Sequence, residues 1–353
     1  MTPDAADAGH AEHMALLDLD VPIVLGPFGG MSSLELTALV SDAGGLGSYG
    51  LYGYDPARIA DTVARLRALT ERPFAVNLWI PVGDEVTPGG DLSGPLATAR
   101  PLYDELGLPV PGDVPERYGV DIEAQLDAVL EARPPVLSLV FGMPPTAFVD
   151  EARSRGIRLV GTATTVAEAV AIEEAGADAV VATGLEAGGH RVSFLRDAAD
   201  SLVGTFALVP QVVDAVRIPV IAAGGIADRR GVAAARALGA SGVQVGTAFL
   251  RTRQSAASDA HRAALARIAA DDTVLTRAAT GRLARGIRNR LIDTVEAGPI
   301  APFPAQSWVI GPVRTEANRR GLGELQSLWA GQAAPLARLD DAGDVFRELA
   351  AGW

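Results

Sequence analysis

Residues 157–194, IRLVGTATTVAEAVAIEEAGADAVVATGLEAGGHRVSF, and residues 218–250, IPVIAAGGIADRRGVAAARALGASGVQVGTAFL, decide the fold. Short Val/Ile-rich runs at Ile157–Thr162, Asp178–Thr183, Ile218–Ala223 and Gly242–Gly246 alternate with Ala/Glu/Arg-rich segments of helical composition. Strand-type runs separated by helical patterns predict βαβ units and a parallel sheet. Gly, Thr or His follows the carboxyl end of each run, the end at which parallel sheets place ligands. Three glycine-rich loops therefore face one mouth.

Upstream, four more runs complete the pattern: Val21–Gly26, the glycine-rich Ala43–Gly50, Phe74–Ile80 and Val136–Phe141. Ser32 or Ser33 is placed to cap a helix running through Val40, with Glu35 in its first turn. Asp55–Thr70 carries Ile59, Val63, Leu66 and Leu69 on one helical face. Helices are also expected over Ile122–Glu131, Thr146–Arg155 and Ala260–Ala269. Eight strands, each followed by a helix or an insertion, predict a closed (β/α)8 TIM-type barrel over residues 21–269 rather than an open doubly wound sheet. The Pro- and Gly-rich stretch 81–119 after the third strand is too long for an ordinary connection and reads as a lid-like insertion over the mouth. Residues 1–20 read as a loose arm. Residues 270–353 read as a helical C-terminal extension packed on the barrel, with a basic loop at Thr280–Arg290 and Trp308, Leu325 and Leu328 as docking contacts.

At 353 residues with 48% apolar side chains, the chain has material for a sizeable core. A formal net charge of −13 argues against duplex nucleic acid or an anionic membrane as partner. The absence of cysteine excludes disulfides, thiolate catalysis and cysteine–metal sites. The acidic first twenty residues lack a signal-peptide pattern, and no apolar run reaches the ~18–20 residues a membrane helix needs. The expected compartment is the cytoplasm.

Two of the glycine-rich loops, Ala223-Gly224-Gly225-Ile226 and Gly246-Thr247-Ala248, follow strands seven and eight. That pair of loops commonly builds a phosphate site in such barrels, from bare backbone N–H groups at a helix start. Thr247 can add its hydroxyl. The third, Glu186-Ala187-Gly188-Gly189-His190, places a histidine at the ligand face, where proton transfer near neutral pH calls for one. His10, His13 and His261 carry no such context and read as surface residues. Asn77 interrupts an apolar strand, and a buried amide there needs a hydrogen-bond partner.

These residues carry a family resemblance. PIVLGPFGGMSSLELTALVSDAGGLGSYG, FAVNLWIP, GTATTVAEAVAIEEAGADAVVATGLEAGGH, TFALVPQVV, PVIAAGGIADRRGVAAARALGASGVQVGTAFL, TGRLARGIRNR and SLWAGQ together resemble nitronate monooxygenase, formerly 2-nitropropane dioxygenase. The resemblance implies non-covalent FMN, with Pro27, Phe28 and Gly29 beside the isoalloxazine and Asn77 hydrogen-bonded to it. It implies Thr183, Gly188 and Gly189 as further cofactor contacts. Gly224, Gly225, Gly246 and Thr247 would hold the phosphate, and Gln332 would close on the flavin. His190 would act on the substrate as base or as positioning residue. The implied reaction is oxidation of an alkyl nitronate, or a similar small carbanion-forming substrate, by O2 without NAD(P)H; a homodimer is permitted and no metal is implied.

Three positions depart from the family pattern. Val140 stands where a second histidine is common, Thr183 where a glutamine is, and Phe303 where a tyrosine is. Val140 and Phe303 make the substrate side more apolar. A second reading, an FMN- and NAD(P)H-dependent enoyl-thioester reductase, shares the fold and a GGH loop. A third is a flavoprotein that binds FMN without turnover.

Overall fold

A computed structural model of the chain describes residue 17 and residues 19–353. Eight parallel strands form one sheet: β1 (Ile23–Leu25), β2 (Gly47–Gly50), β3 (Phe74–Trp79), β4 (Val136–Val140), β5 (Arg158–Ala163), β6 (Ala179–Thr183), β8 (Val220–Ala223) and β9 (Gly242–Val245). A two-residue strand outside this sheet, Gly189–His190, is β7. The hydrogen-bonded order is β1-β9-β8-β6-β5-β4-β3-β2. A parallel bridge between Val24 and Leu46 joins the two ends, with Leu25 N–H donating to the Leu46 carbonyl at 2.9 Å. The ring is therefore closed, as the eight runs predict.

Alternation along each strand sorts the side chains. Outward residues such as Val76, Leu78, Leu137, Leu139 and Leu159 pack beneath the helices Pro56–Leu69 and Ile122–Ala132. Ile23, Leu25, Val180, Ala182, Ala222 and Val243 do the same on the other side of the barrel. Inward residues at the amino ends, Val24, Leu46, Ala75, Val136, Val160, Ala179 and Ile221, fill the interior. Nearer the carboxyl ends of the strands, the inward positions become small or polar: Asn77, Ser138, Thr162, Thr183 and Gln244. A period of two thus converts one strand pattern into an apolar plug below and a cavity floor above.

The helix caps follow the sequence. Ser33 accepts from Leu36 N–H at 2.9 Å and starts the helix Leu34–Asp42. Asp55 accepts from Arg58 N–H at 2.8 Å, with Pro56 opening the helix. Thr165 and Glu168 form a capping box on Val166–Glu174. The Glu168 carboxylate is fully buried and also accepts from Thr164, Phe194 and Leu195, tying this helix to the strap after His190. Gly47 is required by packing, because a Cβ there would stand 1.9 Å from the Thr37 carbonyl oxygen of the first helix.

Of the stretch expected as a loose arm, residues 1–16 and 18 lie outside the described residues; Leu17 is 3% exposed and packs against the interior layer. The insertion contributes one helix, Ser93–Leu106. Its Leu102, Tyr103 and Leu106 share a core with Val309, Ile310 and Val313 of the C-terminal helix Ala305–Arg320. The Tyr103 hydroxyl donates to the Val309 carbonyl at 2.6 Å. Insertion and extension therefore bury one apolar face together. Leu325 and Leu328 are buried, and Trp308 is half-buried beside Tyr118, with ring centroids 6.4 Å apart. The last helix, Ala342–Ala350, sets Phe346 and Leu349 into the barrel's own core.

The segment Thr280–Arg290 corrects the sequence expectation. It is not a loop throughout: Ala284–Ile287 is a strand, β11, between β10 (Thr273–Thr276) and β7. Arg282 and Arg285 are only 6% and 5% exposed. Each guanidinium is enclosed by specific partners. Arg285 donates to the Leu185 carbonyl and to Thr273, and Arg282 pairs with Asp84 and Glu85 of the insertion.

Candidate active site

The carboxyl ends of the barrel strands open into a cavity of about 330 Å³. Its floor is the upper inward register: Gly26, Gly50, Asn77, Trp79, Val140, Thr162, Thr183, Ala223 and Gln244. All the site residues expected from sequence except Gln332 line it, from Pro27, Phe28 and Gly29 through Gly188, Gly189 and His190 to Gly224, Gly225, Gly246 and Thr247. Gln332 lies one residue beyond the lining residue Gly331. Its backbone N–H donates to the Glu186 carbonyl at 2.9 Å. The neighbouring Gly331 N–H donates to the Thr247 hydroxyl at 3.0 Å, so the WAGQ segment is held between two of the glycine loops.

One side of the cavity is bare backbone. A Cβ added at Gly189 would meet nothing within 4 Å, at Gly225 only Glu186 at 3.8 Å, and at Gly246 only Phe28 at 3.6 Å. No neighbouring atom demands glycine at these three places, although the positive φ of Gly189 (+81°) and Gly225 (+73°) does favour it there. What a side chain there would fill is the cavity itself, which fits a flat ligand lying close against the chain. The N–H groups of Gly225 and Thr247 donate to no protein acceptor among the described residues, leaving donors for an anion beside the start of the short helix Thr247–Leu250. Asn77 is 3% exposed and donates through Nδ2 to the Ser138 carbonyl and hydroxyl, both at 3.2 Å. Its Oδ1 is left as the acceptor for a ligand N–H. The cradle suits a flavin with a terminal phosphate.

The opposite side is aromatic. Trp79 is its hub, with ring centroids 4.3 Å from Tyr52, 5.0 Å from Phe141, 4.8 Å from His190 and 6.1 Å from Phe303. Trp329 approaches the other side of His190 at 5.3 Å. Arg282 stacks over Phe141 and Phe303. Val140 lines the cavity, and Phe303 supports the wall from behind.

His190 is carried by β7, paired through Ala284 to β11, so its backbone is fixed by a strand of the C-terminal extension. Its Nε2 lies 2.8 Å from the Thr280 hydroxyl. Burial pushes its pKa down from 6.5 to about 3, with Arg282 and then Arg314 adding to the effect. The imidazole is neutral at any physiological pH. His261, expected on the surface, is instead 2% exposed, with Nε2 2.9 Å from the Trp329 carbonyl. Burial lowers its pKa to about 4. His10 and His13 lie outside the described residues.

Sequence reasoning missed Tyr52, Thr280, Ser307 and Arg314 as lining residues. Thr280, Ser307 and Arg314 carry no local signal and reach the cavity only because C-terminal segments dock over the mouth, whereas Tyr52 follows the carboxyl end of β2 and was open to the same rule as His190. A second, larger cavity of about 420 Å³ lies between Ala227–Arg230 and Leu336–Leu339. Its Arg229 and Arg230 are paired with Glu348 and Asp228, and it has no group suited to redox chemistry.

A closed (β/α)8 barrel with a bare glycine cradle on one side of its mouth and a neutral histidine on the other defines a cofactor-dependent barrel enzyme. The sequence profile of the family Nitronate monooxygenase matches residues 11–352. A probable nitronate monooxygenase of Staphylococcus aureus (strain N315) is 39% identical over 339 residues, covering 95% of this chain and 94% of that protein. Nitroalkane oxidase from Streptomyces ansochromogenes superposes with a TM-score of 0.85 at 37% identity, covering 95% and 96% of the two chains. FabK from Thermotoga maritima superposes with a TM-score of 0.74 at 29% identity, covering 96% and 94%. The chain belongs to the nitronate monooxygenase family and is a flavin-dependent monooxygenase. These likenesses support nitronate oxidation as its general reaction. Among the described residues no helix is long and apolar enough to cross a membrane.

Proposed function

We propose that the protein binds FMN and oxidises a small alkyl nitronate with O2, in the cytoplasm. The observation that carries this reading is the two-sided cavity: three glycines whose missing side chains leave room for a flat cofactor, opposite an apolar wall bearing His190. Gly224, Gly225, Gly246 and Thr247 would hold the phosphate, and Asn77 and Thr183 would hydrogen-bond the ring system. When bound, the flavin supplies the electron acceptor for the substrate and the route for electrons to O2.

The protein's own share is positioning. A histidine with a pKa near 3 is a weak acceptor for a carbon-bound proton, so the site suits a substrate that arrives as the anion. The Thr280 hydroxyl fixes the direction of the imidazole, and the neutral ring hydrogen-bonds the nitronate. Trp79, Tyr52 and Val140 exclude water from the reacting carbon and limit the alkyl group to a short one. His190→Ala should lower kcat/KM for nitronate about 30-fold, the loss of one hydrogen bond to an anion, while FMN stays bound.

The deciding test is anaerobic visible spectroscopy of the purified protein. A yellow protein bleached by an alkyl nitronate but not by NADPH supports the reading. Bleaching by NADPH alone would assign the enoyl-thioester reductase instead, the alternative favoured by the likeness to FabK. A colourless protein that takes up no FMN would overturn the cofactor assignment.

A further inference from the structure

Arg314 comes from the C-terminal helix Ala305–Arg320 and lines the active-site cavity together with His190, Tyr52, Thr280 and Ser307. Its Nη1 donates to the Ala279 carbonyl at 3.2 Å, and among the described residues no carboxylate pairs with it. The contrast with Arg282 is informative. Arg282 is buried against the aromatic wall, where Asp84 and Glu85 neutralise it and Phe141 and Phe303 sandwich it. Arg314 is partly buried and left with one neutral acceptor, so a guanidinium facing the cavity is best completed by an anion there. In a chain of formal charge −13 a carboxylate partner is easily come by, yet none stands here.

We infer that Arg314 is the anion-binding and specificity-determining residue of the cavity. It takes the planar O–N–O group of the nitronate on its fork of N–H donors and makes the enzyme select the anion over the neutral nitroalkane. This rests on the nitronate reading above. The chemistry is that of bidentate arginine recognition: two oxygens on one planar centre match two parallel N–H donors. Other small planar oxyanions, such as nitrate and nitrite, share that geometry and compete for the site. Arg282 is already committed to the insertion's carboxylates and sets the walls rather than holding substrate.

The test uses the FMN-loaded enzyme and two separate readouts. In steady-state oxygen uptake with an alkyl nitronate, Arg314→Met should raise KM about 30-fold and change kcat less than about 3-fold, with Arg314→Lys restoring part of the loss. In titration of the oxidised enzyme with nitrate, followed in the flavin visible spectrum, the wild type should respond and Arg314→Met should need about 30-fold more anion. Neutral nitroethane should perturb neither. Unchanged KM and unchanged nitrate affinity in a variant that keeps its FMN would overturn the assignment. If Arg314→Met does not fold, the wild type still decides: no spectral response to nitrate or nitrite, or an equal response to nitroethane, rejects it. A wild type that binds nitrate but leaves nitronate unoxidised would overturn the proposed reaction and leave Arg314 as an anion site.

Discussion

Single residues in this barrel act through what they leave empty as much as through what they touch. Gly225 has a φ of +73°, which strains any other residue, and a carboxylate there would stand where a phosphate is expected. Gly225→Asp should purify without flavin, as read from the ratio of flavin to protein absorbance; stoichiometric FMN in that variant would reject the phosphate assignment. His190 and His261 have folded-state pKa values of about 3 and about 4, against 6.5 unperturbed. Between pH 6.5 and about 4 the unfolded chain therefore binds more protons than the folded one. Stability is full above that window and falls as the pH drops through it, by up to ~1.4 kcal/mol per pH unit for each histidine. Urea unfolding at pH 7 and at pH 4.5 should show a smaller acid loss for His261→Gln than for the wild type. His190 was legible in the sequence because it follows a strand's carboxyl end. His261 was not, because a histidine on a short helix gives no sign that a later segment will bury it.

Elements were legible where one period dominated. The barrel strands were found because Val/Ile runs and their loops repeat, and Ser33 and Asp55 marked helix starts. β7 and β11 escaped notice: a two-residue strand has no periodicity, and Arg282 and Arg285 disguise an inward-facing strand as a charged loop. The WAGQ segment shows what such pieces do. A Cβ at Gly188 would stand 2.7 Å from the Ala330 carbonyl carbon and the Gly331 nitrogen, so Gly188→Ala should lever this segment away from the cavity. We expect an FMN dissociation constant about 10-fold higher, measured by flavin fluorescence titration, with an unchanged far-ultraviolet spectrum. At the barrel's outer face, Phe346→Ala should cost ~3–5 kcal/mol in urea unfolding, because its ring is 4% exposed in the main core.

At the scale of the whole molecule, the barrel and its C-terminal extension share cores, so unfolding should be one transition. Near-ultraviolet circular dichroism and flavin fluorescence should report the same midpoint. Removing FMN should lower stability by ~2.7 kcal/mol relative to a hundredfold excess over its dissociation constant. The closed ring and its floor were readable from the sequence, because local patterns specify them. The upper wall was not, since Arg314, Trp329 and Gly331 reach the cavity only by long-range docking. That docking also has a temporal meaning. A ribosome finishes the eighth barrel strand at Val245, but the last wall residues of the cavity emerge more than eighty positions later. The ligand side is thus completed only by residues made well after the ring's last strand, so capture of the cofactor needs the C-terminal segment as well as the barrel.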